Sequence, residues 1–138
     1  MRAERFEDLV AWQKARELAG AVYEITRKRE LAGDYALVRQ MQRAAVSITA
    51  NIAEGFGRAG VEFHRFVTIA RGSCFELLSH LYLACDVGYV RPAEFQKCDG
   101  TWRKSRASCA HSVRVSNERT TTQAPKPEAR RAPTSECS

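Results

Sequence analysis

Between Val61 and Val87 the chain writes one long helical line. Phe63, Phe66, Val67, Ala70, Cys74, Leu77, Leu78, Leu81, Ala84 and Cys85 all fall within a narrow arc of an α-helix. An apolar arc sustained over that length must face a core, and other elements have to supply the rest of it. The back of the same helix is unusual. Arg65, Gly72, Ser79 and Asp86 recur every seven residues there, flanked by Phe75, Tyr82 and Leu83. A mid-helix glycine costs about 1 kcal/mol relative to alanine, so Gly72 asks for a compensating reason, and close approach of another helix is the usual one.

The remaining elements assemble around that line. Glu7 and Asp8 put acids at the start of a first helix, about residues 7–31, where the helix dipole favours them. Along it Trp12, Ala15, Ala19, Val22 and Tyr23 make a stripe opposite Gln13, Glu17, Gly20 and Glu24. Ala32-Gly33-Asp34 stops this helix and offers Asp34 as the N-cap of a second, about residues 34–55. Met41, Ala45, Ile48 and Ile52 form its apolar side, with Arg43, Ser47, Ala50 and Glu54 opposite. Gly55, Gly57 and Gly60 mark a turn that needs unusual dihedrals or close approach. The third helix then runs to Gly88, and Arg91-Pro92-Ala93-Glu94 opens a fourth, with proline near the first helical position. The expected fold is all-α, an antiparallel up-and-down four-helix bundle occupying residues 1–97.

The pattern weakens from Cys98 onward. Trp102, Cys109, Ala110 and Val113 could share a helical face, but Asp99-Gly100 interrupts its approach. Residues 98–138 are therefore expected to form an atypical basic tail: at most a short, poorly packed helix over 98–116, and disorder from about Asn117. A shifted reading frame near Lys97 would account for the joint loss of periodicity and composition. The fourth helix would then be truncated and the bundle marginal.

Charge is distributed in the same uneven way. The chain has 22 Lys+Arg, 16 Asp+Glu and a net charge of +6. Up to residue 97 there are 14 basic and 12 acidic side chains, and after it 8 and 4. The balance permits a polyanionic partner without demanding one. The opening MRAERFEDLV is too charged for a secretory signal, and Glu76, His80 and Asp86 interrupt the most apolar run, so a cytoplasmic location and no membrane contact are expected. Five cysteines without a Cys-x-x-Cys do not form a disulfide framework, and Cys98, Cys109 and His111 fit no closed zinc motif. His64, His80 and His111 lie far apart, with no nucleophile motif nearby, and the three glycines lack a following Lys-Ser/Thr. No catalytic residue, metal or cofactor is expected, and the chain reads as not an enzyme.

Several short motifs, taken in order, resemble a known family. They are Phe6-Glu-Asp-Leu-Val-Ala-Trp-Gln-Lys-Ala15, Gln42-Arg-Ala-Ala-Val-Ser-Ile48, Asn51-Ile-Ala-Glu-Gly55 with Gly57-Arg58, Glu62-Phe63, Arg65-Phe66, Ile69-Ala-Arg-Gly-Ser73 and Glu76-Leu77. Together they resemble the four-helix bundle proteins encoded in bacterial 23S rRNA intervening sequences, the S23 ribosomal protein family. The resemblance implies a homo-oligomer, with a pentameric ring in the family and its relatives. It extends to the accessory protein of diversity-generating retroelements, which binds a reverse transcriptase and nucleic acid. Thr49, Cys74 and Gly60 depart mildly from the family pattern; the expected loss of a Leu-rich fourth helix is the larger departure.

Two readings of the central polar residues follow. In one, Arg43, Ser47, Asn51, Glu54, Gly72, Ser73 and Glu76 form a packed polar network or interface, with Glu76 pairing Arg43 and Arg65 or Arg71 pairing Glu54. In the other, Arg39, Arg43, Arg58, Arg65 and Arg71 present phosphate-binding cations to RNA or DNA. A purely protein–protein scaffold, and an enzyme with a site between subunits, are the alternatives to a nucleic-acid-binding oligomer.

Overall fold

The computed structural model describes residues 3–122, and side chains as far as Ser112. Among the described residues the regular elements are all helical: a 3-10 turn at Phe6–Asp8, α1 (Val10–Thr26), α2 (Arg29–Ala32), α3 (Tyr35–Arg58), α4 (Gly60–Asp86) and α5 (Pro92–Thr122). α1 packs on α3, α3 on α4, α4 on α5, and α5 returns to α1, so four long helices close a ring. This is the expected bundle, with α2 reduced to a single turn at one corner.

The first expected helix is broken in two places. Leu9 is extended (φ −72°, ψ 121°), which separates the 3-10 turn from α1, and Phe6 packs edge-on against Trp12 at 5.1 Å across the break. At the other end Lys28 is extended, and the Thr26 hydroxyl donates to the Tyr23 carbonyl while accepting from Gln42 Nε2 at 3.0 Å. Such local bonds compete with helix continuation. The buried stripe of α1 is Ala11, Ala15, Leu18, Val22, Ile25 and Thr26, so Leu18 lies deeper than Trp12, which is half-buried.

The caps behave as their residues suggest. Asp34 accepts from the Leu37 backbone N–H at 3.1 Å and starts α3. Gly88, at φ 84°, closes α4. Its N–H reaches the Cys85 carbonyl and the Tyr89 N–H the Ala84 carbonyl, the paired bonds of a left-handed C-terminal cap. Glu94 caps α5 by accepting from the Arg91 backbone N–H at 3.1 Å, and its carboxylate also pairs with Lys28.

The glycine-rich stretch is resolved into two separate devices. α3 runs on to Arg58, so Gly55 and Gly57 are helical, and the turn itself is Ala59 and Gly60, both at positive φ. Gly55 is the close approach: a Cβ there would lie 2.8 Å from Phe66 Cβ and 3.2 Å from the Phe63 ring. Gly72 is not. A Cβ at Gly72 would meet nothing within 4 Å among the described residues.

The expected collapse after Lys97 does not occur. α5 continues from Pro92 to Thr122 through Asp99-Gly100, and Cys98, Trp102, Ser105 and Cys109 are all buried. Their spacings of four, three and four residues give the helical stripe that small and polar side chains concealed. The Trp102 indole N–H donates to the Cys74 carbonyl and its ring packs edge-on against Phe75, anchoring α5 on α4. With α5 in place Val67, Ala70, Cys74, Leu77, Leu81 and Ala84 are fully buried, so the arc of α4 is covered. The disorder expected from about Asn117 is overturned as far as Thr122, where α5 ends; the residues beyond 122, and the side chain of Val113, lie outside the described residues.

Candidate functional site

Ser47, Asn51 and Ser73 form the polar contact between α3 and α4. The Ser47 and Ser73 hydroxyls are 2.9 Å apart, and Asn51 Nδ2 donates to the Ser47 carbonyl at 2.8 Å and to its hydroxyl at 3.1 Å. Ser73 is buried, so its hydroxyl needs these partners, and it also lies 3.3 Å from the Ile69 carbonyl. Small side chains are what permit a polar pair to bridge two helices here without an intervening gap.

The charges beside this contact pair locally instead of across it. Glu54 is bonded by Arg58 one turn on, at 2.8 Å; Glu76 lies 3.6 Å from His80 Nε2 one turn on, beyond hydrogen-bond reach. Neither the Glu76–Arg43 pair nor a bond from Glu54 to Arg65 or Arg71 forms. Side chains four residues apart on one helix meet at little entropic cost, whereas a bridge between helices has to reach over the Ser47–Ser73 contact. Exposed pairs of this kind add little stability. Arg65 lies 3.9 Å from Glu62, again within α4.

The five arginines do not gather into one patch. Arg39 and Arg43 are exposed on α3, and Arg58 and Arg65 sit near the turn between α3 and α4, the Arg58 guanidinium 5.2 Å from the centre of the Phe66 ring. Arg71 belongs to the other side of α4, where its charge acts on Cys109 of α5. Sequence reasoning passed over Arg103 and Arg106, which lie on α5 and are also exposed. Arg106 stacks over both Phe75 (5.8 Å) and Trp102 (5.2 Å), and Arg103 is held by Asp99 at 2.8 Å. The cue for them was the spacing of Phe95, Cys98 and Trp102 before them.

Three cysteines face the core from α4 and α5. Contact with Cys109 and burial together push the Cys74 thiol well above its ordinary range, and burial pushes the Cys98 thiol up. The Cys74 and Cys98 thiols are protonated packing groups, whereas the contact with Cys74 pulls the Cys109 thiol below its ordinary range. Among the described residues no group of three His, Cys, Asp or Glu side chains is placed to hold a metal ion. Two surface depressions are open: one is bounded by Glu7, Trp12, Gln13, Arg16 and Glu17, another by Lys28, Glu30, Gly88, Tyr89, Arg91 and Glu94. No helix of the described residues is long and apolar enough to cross a membrane.

What the geometry offers is surface. The outward side of α4 leaves Ile69 and Leu83 44% and 50% exposed beside Gly72, and the side toward α5 leaves Phe75 and Tyr82 50% and 53% exposed. No curated protein matches the chain. A solved structure of a protein of unknown function from the S23 ribosomal protein family of Bacteroides thetaiotaomicron is similar at 18% identity. It covers 75% of this chain and 98% of its own, with a TM-score of 0.68, a likeness of fold. The family model for the 23S rRNA-intervening sequence protein matches residues 7–111, which takes in α1, α3, α4 and α5 as far as His111, and the chain belongs to that family.

Proposed function

We propose that the protein is a non-catalytic, self-assembling helical bundle of the cytoplasm that binds RNA or DNA, or an enzyme acting on them such as a reverse transcriptase. The observation that carries the reading is Gly72. A glycine in mid-helix costs about 1 kcal/mol, yet no described residue would meet a Cβ placed there, while Ile69 and Leu83 beside it stay half-exposed. A second copy of the chain packed along the outward side of α4 would use both features, and a pentameric ring is the assembly that the family resemblance implies. Repetition of the arginines around such a ring would multiply weak phosphate contacts into useful affinity.

Light scattering on the full chain tests the assembly. A mass several times that of one chain is expected, and Gly72→Leu should lower it; a well-folded monomer at micromolar concentration would remove the reading. Filter binding across a salt series tests the second half. Affinity should fall steeply as salt rises. Assembly without nucleic-acid binding at low salt would leave the chain as a protein–protein scaffold.

A further inference from the structure

The seam between α4 and α5 carries cations and aromatic rings in alternation. Arg71, Phe75, Leu78 and Tyr82 are spaced by four, three and four residues, one line along α4. Phe95, Asp99, Arg103 and Arg106 make the facing line on α5, and the two lines touch repeatedly. Tyr82 meets Phe95 at 4.9 Å, Phe75 meets Trp102 at 5.7 Å, and Arg106 lies over Phe75 and Trp102. Phe75 and Tyr82 nevertheless keep 50% and 53% of their surface open, and Arg71, Arg103 and Arg106 are exposed. Asp99 is the one acid within the two lines, and it is bonded to Arg103. Asp86 stands one turn beyond Tyr82, at the end of the strip.

We infer that this seam binds single-stranded nucleic acid, with bases stacked on Phe75 and Tyr82 and phosphates met by Arg71, Arg103 and Arg106. The inference rests on the nucleic-acid reading above and says where and in what form the ligand binds. Three guanidinium groups around two open rings complement a chain that alternates phosphates with unpaired bases. A duplex keeps its base faces stacked on one another, so it can use the arginines but not the rings. Phe75 and Tyr82 are seven residues apart, about 10 Å along the helix. A short stretch of single strand spans that distance, so both rings can serve one strand. The outward face around Gly72, Ile69 and Leu83 is turned away from α5 and remains available to a second copy of the chain.

The test uses the full chain with a labelled oligouridine strand and a labelled RNA duplex of equal length, read by fluorescence anisotropy. The strand should bind about tenfold more tightly than the duplex. Phe75→Leu and Tyr82→Leu keep apolar volume, and each should weaken strand binding about tenfold while leaving the duplex unchanged. Arg106→Gln should reduce the slope of log affinity against log salt by about one, with Arg39→Gln on α3 as the control that does not affect the strand preference. Equal binding of strand and duplex would overturn the proposal. So would full strand affinity in all the seam variants with loss in Arg39→Gln and Arg43→Gln, a result that keeps the nucleic-acid reading and discards the seam. A fall in particle mass in Phe75→Leu would make the seam a subunit contact and also overturn it. Failure of both RNAs to bind would remove the nucleic-acid reading itself.

Discussion

α4 and α5 lie side by side and bury comparable stripes, but they are made of different material. α4 fills its side mostly with the aliphatic Val67, Ala70, Leu77, Leu81 and Ala84, joined by the Cys74 thiol and, toward α3, by Ser73. α5 fills its side with Cys98, Trp102, Ser105 and Cys109. One large ring, two thiols and a hydroxyl do on α5 what a run of leucines would do elsewhere. The apolar area that α5 can bury is concentrated in Trp102, so its attachment hangs on one residue, whereas that of α4 is spread over many.

The largest expected effect follows from that concentration. Trp102→Ala removes the indole, its bond to the Cys74 carbonyl and the contact with Phe75, and should cost about 3–5 kcal/mol. That approaches the whole stability of a small domain. Urea denaturation followed by circular dichroism should show Trp102→Ala losing helix already in buffer. Leu77→Ala, at a cost of about 2–5 kcal/mol, should instead keep a cooperative transition at lower denaturant. Equal behaviour of the two variants would erase the contrast between the helices.

That contrast also marks how far the sequence could be read. The long arc of α4, the Asp34 cap, the Gly88 stop and the start of α5 at Pro92 were legible because each is a local signal. Leucine periodicity, a side-chain acceptor and a residue free to take positive φ all act within one helix. The stripe of α5 was not, because cysteine and serine in core positions look like loop composition, and only the neighbouring α4 reveals that they are covered. The pairings expected for Arg43 and Glu54 failed for a related reason: spacing says which residues share a face but not which partner across a contact is nearer. Ser47 and Ser73 were named for the same network and do meet, yet their helices' charges turned to partners one turn away.

The opposite flank of α4 sharpens the picture. Against α3 the packing is tight enough that Gly55→Ala should destabilise by about 1–3 kcal/mol, since the new methyl would press on Phe66 Cβ and the Phe63 ring. Gly72→Ala meets open space and should stabilise an isolated chain by about 1 kcal/mol through helix propensity. Thermal melts of the two variants should therefore shift in opposite directions. A loss at Gly72 as large as that at Gly55 would mean that another chain already packs there.

The Cys98 thiol gives α5 a pH dependence that a leucine stripe would lack. Burial raises the Cys98 thiol, so the folded state holds this proton more tightly than the unfolded chain. Its contribution is fully present below the ordinary thiol pKa of about 8.5 and declines as pH rises through the folded value. Within that window the decline is at most about 1.4 kcal/mol per pH unit. Under reducing conditions stability should fall above about pH 8.5, and Cys98→Ala should flatten the fall. An unchanged slope in that variant would show that Cys98 ionises as freely in the bundle as in the unfolded chain.

The smallest effect should come from Ser105, and its sign is the informative part. Ser105 is fully buried and its hydroxyl has no hydrogen-bond partner among the described residues; the Cys74 sulfur beside it is a weak acceptor. A buried hydroxyl left unsatisfied costs about 1–3 kcal/mol, and serine is also slightly poorer than alanine in a helix. Ser105→Ala removes one atom, relieves that cost and leaves a gap too small to matter much, so stability should rise by about 1 kcal/mol. Most buried Ser→Ala changes in a satisfied core go the other way. A rise in melting temperature would mark Ser105 as the weak point of the α5 stripe, whereas a fall would show that the Cys74 sulfur holds the hydroxyl well enough to make the polar residue an asset.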